Sequence, residues 1–349
     1  ALTLVSGTLI AVVAFAGARA LVSRVPSGYG AALGIAIAGV PILAMTRLGA
    51  QVGRTFGWVG VGYAPAQVAH PLLLIAAVLL AGAVGAAHAA PVVAIAVGLS
   101  LLIVTTQALV YARRLAPRLR GVRAEYDQRR WLRAAVPLLL IDGFSAVLAQ
   151  SDLIMVGTLL GATATAYYAV ATRTAALATF FLDSISGLAG PKIAELNGSG
   201  RREDLRAFLA EIAPWIVVPT AATLLALVVA GPLLLRLFGR GFDAGYRAMV
   251  ILAVGNSAGG IVGPTALVLN MTGEQDATAR AYGTAAVANI LLNALLIPPL
   301  GIVGAACATG MTDVAVSVWL YGVVRRRFAV APAVVVTVSR ANGAPRRDA

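Results

Sequence analysis

The chain has 349 residues, 60% of them hydrophobic and only 12% charged, with a mean hydropathy of +0.88. A soluble domain carries about 25% charged residues, so the composition excludes one and points to an all-α polytopic membrane protein. A net charge of +13 would suggest nucleic acid in a soluble chain, but here the arginines are sorted by loop and no nucleic-acid partner is expected. The one cysteine, Cys307, lies inside an apolar run, so neither a disulfide framework nor a thiolate metal site is available.

A membrane span needs about 20 mainly apolar residues. Ten segments qualify: 2–22, 30–48, 66–86, 91–112, 134–160, 164–190, 212–237, 246–270, 281–299 and 302–324. The first begins almost at Ala1, without the basic start of a signal peptide, which reads as a fragment or a trimmed N-terminus. The spans divide into four within 1–112 and six within 134–324. A basic linker, 113–133, joins the two sets, and a polar tail, 325–349, follows the last span. The linker carries Arg113, Arg114, Arg118, Arg120, Arg123, Arg129, Arg130 and Arg133. It reads as an amphipathic segment on the inner leaflet, either fixing topology or meeting anionic lipid.

Of the 27 Lys and Arg residues, 21 fall on one alternating set of loops, five on the other, and Arg173 lies within a span. The positive-inside rule places the richer set in the cytoplasm. Both termini are then cytoplasmic and Gly161–Thr165 faces outward. Trp58, Trp131, Trp215, Tyr246, Tyr282, Trp319 and Tyr321 cluster near span ends as an aromatic belt. Gly259-Gly-Ile-Val-Gly-Pro264 predicts a kink or unwinding in the eighth span.

Two hairpins concentrate the polar side chains. In the first, 134–190, Asp142, Asp152, Arg173 and Asp183 sit inside apolar stretches, and charge at bilayer depth is expensive and kept for function. Asp152 and Arg173 lie equally far from a turn at Ala162–Thr163, as do Asp142 and Asp183. Equal sequence distance on antiparallel helices means equal depth, which predicts an Asp152–Arg173 pair. The two acids are predicted at a deeper level, sharing a proton if they face each other. Arg173 is alternatively a cavity cation for an anionic headgroup such as a diphosphate, which Arg binds bidentately.

In the second hairpin, 281–324, Asn293 and Thr309 are equidistant from Gly301, as are Asn289 and Asp313. Asn289 with Asn293, and Thr309 with Asp313, are i,i+4 pairs sharing a helix face. Their oxygens suit Na⁺ or a proton relay; plain interhelical hydrogen bonding is the alternative.

The runs Asp152-Leu-Ile-Met-Val-Gly-Thr-Leu-Leu-Gly161 and Tyr167-Tyr-Ala-Val-Ala-Thr-Arg173 resemble the seventh and eighth helices of polysaccharide (O-antigen type) flippases. Leu291-Leu-Asn-Ala-Leu-Leu-Ile-Pro298 with Gly301-Ile-Val-Gly-Ala-Ala306 resembles their eleventh-to-twelfth helix connection, and Met271-Thr-Gly-Glu274 the short loop before it. These flippases belong to the multidrug/oligosaccharidyl-lipid/polysaccharide (MOP) superfamily. The likeness covers about 130–325 well and 1–120 weakly, through Arg47, Arg54 and His70-Pro71-Leu-Leu.

The resemblance implies two helical lobes around a central cavity. Residues 1–112 would then be an incomplete N-terminal lobe lacking two helices, and 134–324 the C-terminal lobe. It implies a transporter rather than an enzyme, in a bacterial inner membrane, moving polyprenyl-diphosphate-linked oligosaccharide for O-antigen or lipopolysaccharide synthesis. Polysaccharide assembly proteins and membrane lipid would be its partners. Arg173, Asp142 and Asp183 would meet the substrate. The matching positions Asp152, Asn289, Asn293 and Thr309 would hold a coupling Na⁺ or H⁺, joined by Asp313 from its place in the second hairpin, with no resident cofactor. A multidrug cation antiporter of the same superfamily is the alternative, although a cavity arginine would repel its cargo. A membrane glycosyltransferase, polymerase or ligase is a more distant one, because the outward loops are too short for a catalytic segment.

Overall fold

The computed structural model describes residues 30–56, 58–62, 64–83, 89–119 and 128–329, together with Ala331, Ala333 and 336–338. The predicted span at 2–22, the middle of the basic linker and the end of the tail lie outside the described residues. Every regular element among the described residues is helical. The chain divides into two compact units, Ala1–Glu125 and Tyr126–Ala349.

In the first unit, α1 (Gly30–Thr55) packs along α4 (Ala89–Leu119), and α3 (His70–Ala83) packs on α4 as well. Between α1 and α3 lie a single turn, α2 (Val59–Gly62), and a π-helical turn, Pro65–Ala69. Pro71 has no N–H for the turn before it. There the helix widens, and His70 N–H bonds back to Pro65 O. Neutral side chains stitch this unit to its own backbone. Gln107 Nε2 donates to Val61 O (2.9 Å) and Gly62 O (3.4 Å), and Tyr111 Oη donates to Gly49 O (2.6 Å).

The second unit runs from α5 (Gln128–Leu160) through α6 (Ala162–Ala175), a 3₁₀ turn (Ala176–Thr179) and α7 (Phe180–Gly198) to α8 (Arg202–Arg236). A second 3₁₀ turn (Phe242–Gly245) leads into α9 (Tyr246–Val262), followed by α10 (Thr265–Met271), α11 (Gln275–Leu300) and α12 (Ile302–Phe328). The basic stretch is partly absorbed by its neighbours: Arg113–Leu119 continues α4, and Gln128–Arg133 opens α5.

Helices α4, α5, α8, α11 and α12 are each long and apolar enough to cross a membrane, and α9 with α10 forms a sixth such run bent by 50°. The protein is a multi-pass membrane protein. The bend falls at Gly263-Pro264, inside the glycine-rich stretch that predicted it and nearer its end than its middle. The predicted span 164–190 is not one straight helix, because the 3₁₀ turn interrupts it. Helix α9 lies tightly on α12: a Cβ added at Gly255 would come 2.5 Å from Gly310 Cα, so Gly255 must stay bare for the backbones to meet.

The core of the second unit has two apolar clusters. One holds Leu148 of α5, Ala285 and Ala286 of α11, and Val316 and Leu320 of α12. The other holds Val156 of α5, Ile297 of α11, and Ala305 and Ala306 of α12. On all three helices, the residues between the clusters include the buried polar ones: Asp152, then Asn289 and Asn293, then Thr312. A polar layer thus separates two apolar halves of one bundle.

Candidate functional site

The polar layer centres on Asp152, which is 2% exposed. Its Oδ2 accepts from Tyr168 Oη (2.6 Å) and Thr309 Oγ1 (3.1 Å), and its Oδ1 from the Leu153 backbone N–H (2.7 Å). Asn289 extends the network. Its Nδ2 donates to Thr309 Oγ1 and Thr312 Oγ1, each at 3.2 Å, and its Oδ1 accepts from Ser151 Oγ (3.1 Å) and Asn293 Nδ2 (2.8 Å). These four partners fix the Asn289 amide orientation, because its nitrogen faces two hydroxyls and its oxygen two donors. Asn293 Nδ2 also donates to Asn289 O (2.9 Å), while Asn293 Oδ1 is buried with no hydrogen-bond partner.

The network is directional. Asn289 donates to Thr309, and Thr309 donates onward to Asp152, so the amide supports the hydroxyl that holds the carboxylate. Burying a carboxylate is costly unless it is paired or well hydrogen-bonded, and three donors serve Asp152. Those three donors fill three of the roughly four lone-pair positions of the carboxylate, leaving one on Oδ1 for a proton or a cation. The orphaned Asn293 Oδ1 is a spare neutral oxygen of the kind that Na⁺ takes. No group of three or more His, Cys, Asp or Glu among the described residues could hold a metal ion, so any ion here would rely on one carboxylate and neutral oxygens.

The structure brings Asp152, Asn289, Asn293 and Thr309 together and adds Tyr168, Thr312 and Ser151, which the sequence reading missed. The Tyr167-Tyr168 pair preceding Arg173 was the available signal, since a buried tyrosine needs a partner for its hydroxyl. Asp313, half-buried on α12, lies within electrostatic reach of Asp152, and Tyr282 on α11 lies within reach of both Asp313 and Asp183. Asp183 itself is exposed and accepts from Thr179 Oγ1 (2.9 Å).

Arg173 does not pair with Asp152. It is exposed and forms no ion pair among the described residues, and Tyr168 occupies the position beside the carboxylate. The turn is a single residue, Gly161, at a positive φ that favours glycine (φ 85°, ψ −179°), which shifts the register toward Tyr168. Azimuth does the rest: Tyr168, Ala171 and Ala175 form the buried face of α6, and Arg173, five residues past Tyr168, points about 140° away from it. Asp142 and Asp183 are both exposed and share no hydrogen bond. In the second hairpin, Asn289 rather than Asn293 meets Thr309, and it faces Thr312 rather than Asp313.

The comparisons agree with this architecture. No family model matches the chain. Over 165 residues it is 26% identical to the "Probable low-salt glycan biosynthesis flippase Agl15" of Haloferax volcanii, a match covering 46% of this chain and 34% of that protein, about a third of its length. The fold is similar to a Vibrio cholerae MATE transporter, VcmN, solved as an aspartate-to-asparagine mutant (TM-score 0.70, 16% identity, 93% of this chain and 77% of that one). It is also similar to a MATE protein in the bent conformation (TM-score 0.74, 15% identity, 97% and 78%). These are transporters, not enzymes.

Proposed function

With the fold of the MATE transporters as its frame and a glycan-biosynthesis flippase among its relatives, the resemblance to flippases of the MOP superfamily stands, and we propose that this chain translocates lipid-linked oligosaccharide across a membrane. The lipid tail stays in the bilayer and the charged headgroup takes the polar route. No bond is made or broken. The observation that carries the reading is the buried Asp152 layer, a single carboxylate held by Tyr168 and Thr309 at mid-bundle with a spare amide oxygen beside it. A coupling ion, Na⁺ or H⁺, would exchange there. Exposed Arg173 would take the diphosphate, with Asp142 and Asp183 meeting other headgroup groups. Residues 134–324 would act as one lobe and 1–112 as part of the other, with Gly161 outward and the basic stretch inward, in an inner membrane and beside polysaccharide assembly proteins.

The second reading, a multidrug cation antiporter, draws on the same fold. Exposed Arg173 weighs against it, because it would repel a cationic cargo. Proteoliposomes separate the two. The chain should expose a fluorescent polyprenyl-diphosphate oligosaccharide to an external quencher in a manner dependent on a Na⁺ or proton gradient, and Asp152→Asn should remove the gradient dependence. Arg173→Ala should lower substrate affinity at unchanged ion dependence. Gradient-driven uptake of a cationic dye, with no movement of the lipid-linked sugar, would overturn the flippase reading.

A further inference from the structure

Away from the Asp152 layer, helices α5, α11 and α12 leave an open groove of about 400 Å³, lined by Leu140, Phe144, Ala279, Arg280, Gly283, Thr284 and Trp319. That volume is in the range of small-ligand pockets, about 300–1,000 Å³. Its floor is the small residues Ala279 and Gly283. Phe144 lies directly over Gly283, where an added Cβ would come 3.0 Å from its ring. All three helices are long and apolar enough to cross a membrane, so the groove opens toward lipid.

The groove has one charge. Arg280 is exposed and forms none of the ion pairs found among the described residues, even though Asp276 is one turn away. It sits five residues into α11, about 8 Å from that helix end at 1.5 Å per residue. A side chain of its length reaches the headgroup level from there. Trp319, 47% exposed, lines the same groove, and indole rings favour that boundary. An apolar trough ending in one unpaired cation is complementary to one hydrocarbon chain ending in one negative charge. The single positive charge of Arg280 matches the single negative charge of a phosphodiester.

We propose that the groove between α5, α11 and α12 seats one chain of an anionic phospholipid, with its phosphodiester on Arg280. The site is separate from the Asp152 layer and does not depend on the flippase reading. It makes that lipid a bound component of the second unit, holding α5 against α11 and α12 where the side chains alone leave space.

Trp319 reports on the groove directly. The full chain would be reconstituted in bilayers that mix brominated phosphatidylglycerol with plain phosphatidylcholine, or brominated phosphatidylcholine with plain phosphatidylglycerol. The Trp319 signal is isolated by subtracting the Trp319→Phe variant. Quenching by brominated phosphatidylglycerol should reach its midpoint at about a fivefold lower mole fraction than quenching by brominated phosphatidylcholine, the factor that one basic residue near an anionic headgroup implies. Arg280→Gln should make the two curves coincide, Arg280→Lys should keep most of the difference, and Gly283→Leu should weaken both. If Gly283→Leu does not fold, the two Arg280 variants decide alone. Coincident curves in the unmodified protein would reduce the groove to ordinary boundary lipid. A preference unchanged by Arg280→Gln would remove the arginine from the site. Displacement of brominated phosphatidylglycerol by equimolar polyprenyl diphosphate would assign the groove to the transported lipid instead. Each of these three results overturns the proposal.

Discussion

The two units handle polar groups inside the membrane differently. In the first, Gln107 and Tyr111 are neutral, and each donates to a backbone carbonyl of another segment, Val61 and Gly49, while Ser100 donates to Ala96 O one turn back in its own helix. His70 joins them through Ser100 Oγ and Ala96 O, both at 3.2 Å. In the Asp152 layer of the second unit, bonds run from side chain to side chain and end on a carboxylate. Clamping a backbone carbonyl locks two segments into one arrangement. A carboxylate served by rotatable hydroxyls can be satisfied in more than one way, by donors or by an ion. The first unit is therefore expected to be a rigid frame and the second to contain the element that responds to an ion.

The contrast can be broken by substitution. The largest loss is expected for Asp152→Ala, which strips Tyr168 and Thr309 of their shared acceptor at about 1–3 kcal/mol for each buried group left unsatisfied. Thermal unfolding in detergent should show it, and ion-dependent transport should disappear at the same time. Tyr168→Phe comes next. It removes one bond to a charged group, worth about 1.5–3 kcal/mol, and should also shift the ion concentration for half-maximal transport, because the carboxylate then has one donor fewer to exchange. A Tyr168→Phe protein that lost stability but kept its ion dependence would make the Asp152 layer structural only.

Smaller effects are expected in the first unit. Gln107→Leu loses the bonds to Val61 and Gly62 but also removes Gln107 Oε1, which is buried without a partner. The net cost should be no more than about 0.5–1.5 kcal/mol, the ordinary worth of a hydrogen bond, with ion dependence unchanged. Ser100→Ala should cost least, below about 1 kcal/mol, since in-membrane hydrogen bonds average about 0.6 kcal/mol. His70 would keep its contact with Ala96 O. A change in ion dependence from either variant would show that the two units share the task and would end the contrast.

The sequence alone determined the helical class and the positions of the long apolar helices α4, α5, α8, α11 and α12, because those follow from the length of apolar chain that a bilayer demands. It also marked the α9–α10 bend, since Gly263 and Pro264 cannot be accommodated in an unbroken helix at no cost, and it selected Asp152, Asn289, Asn293 and Thr309. Only the tertiary structure decided which side chains meet. Distance from a turn sets depth, whereas facing depends on rotation by about 100° per residue and on how each turn is closed. The one-residue connection at Gly161 brought Tyr168 to Asp152 and left Arg173 on the opposite face. The tight turn at Gly301 set Asn289 against Thr309 and Thr312. Ser151 and Thr312 read as ordinary helix hydroxyls until a third helix is packed beside them, and the groove at Arg280 exists only where three helices fail to close.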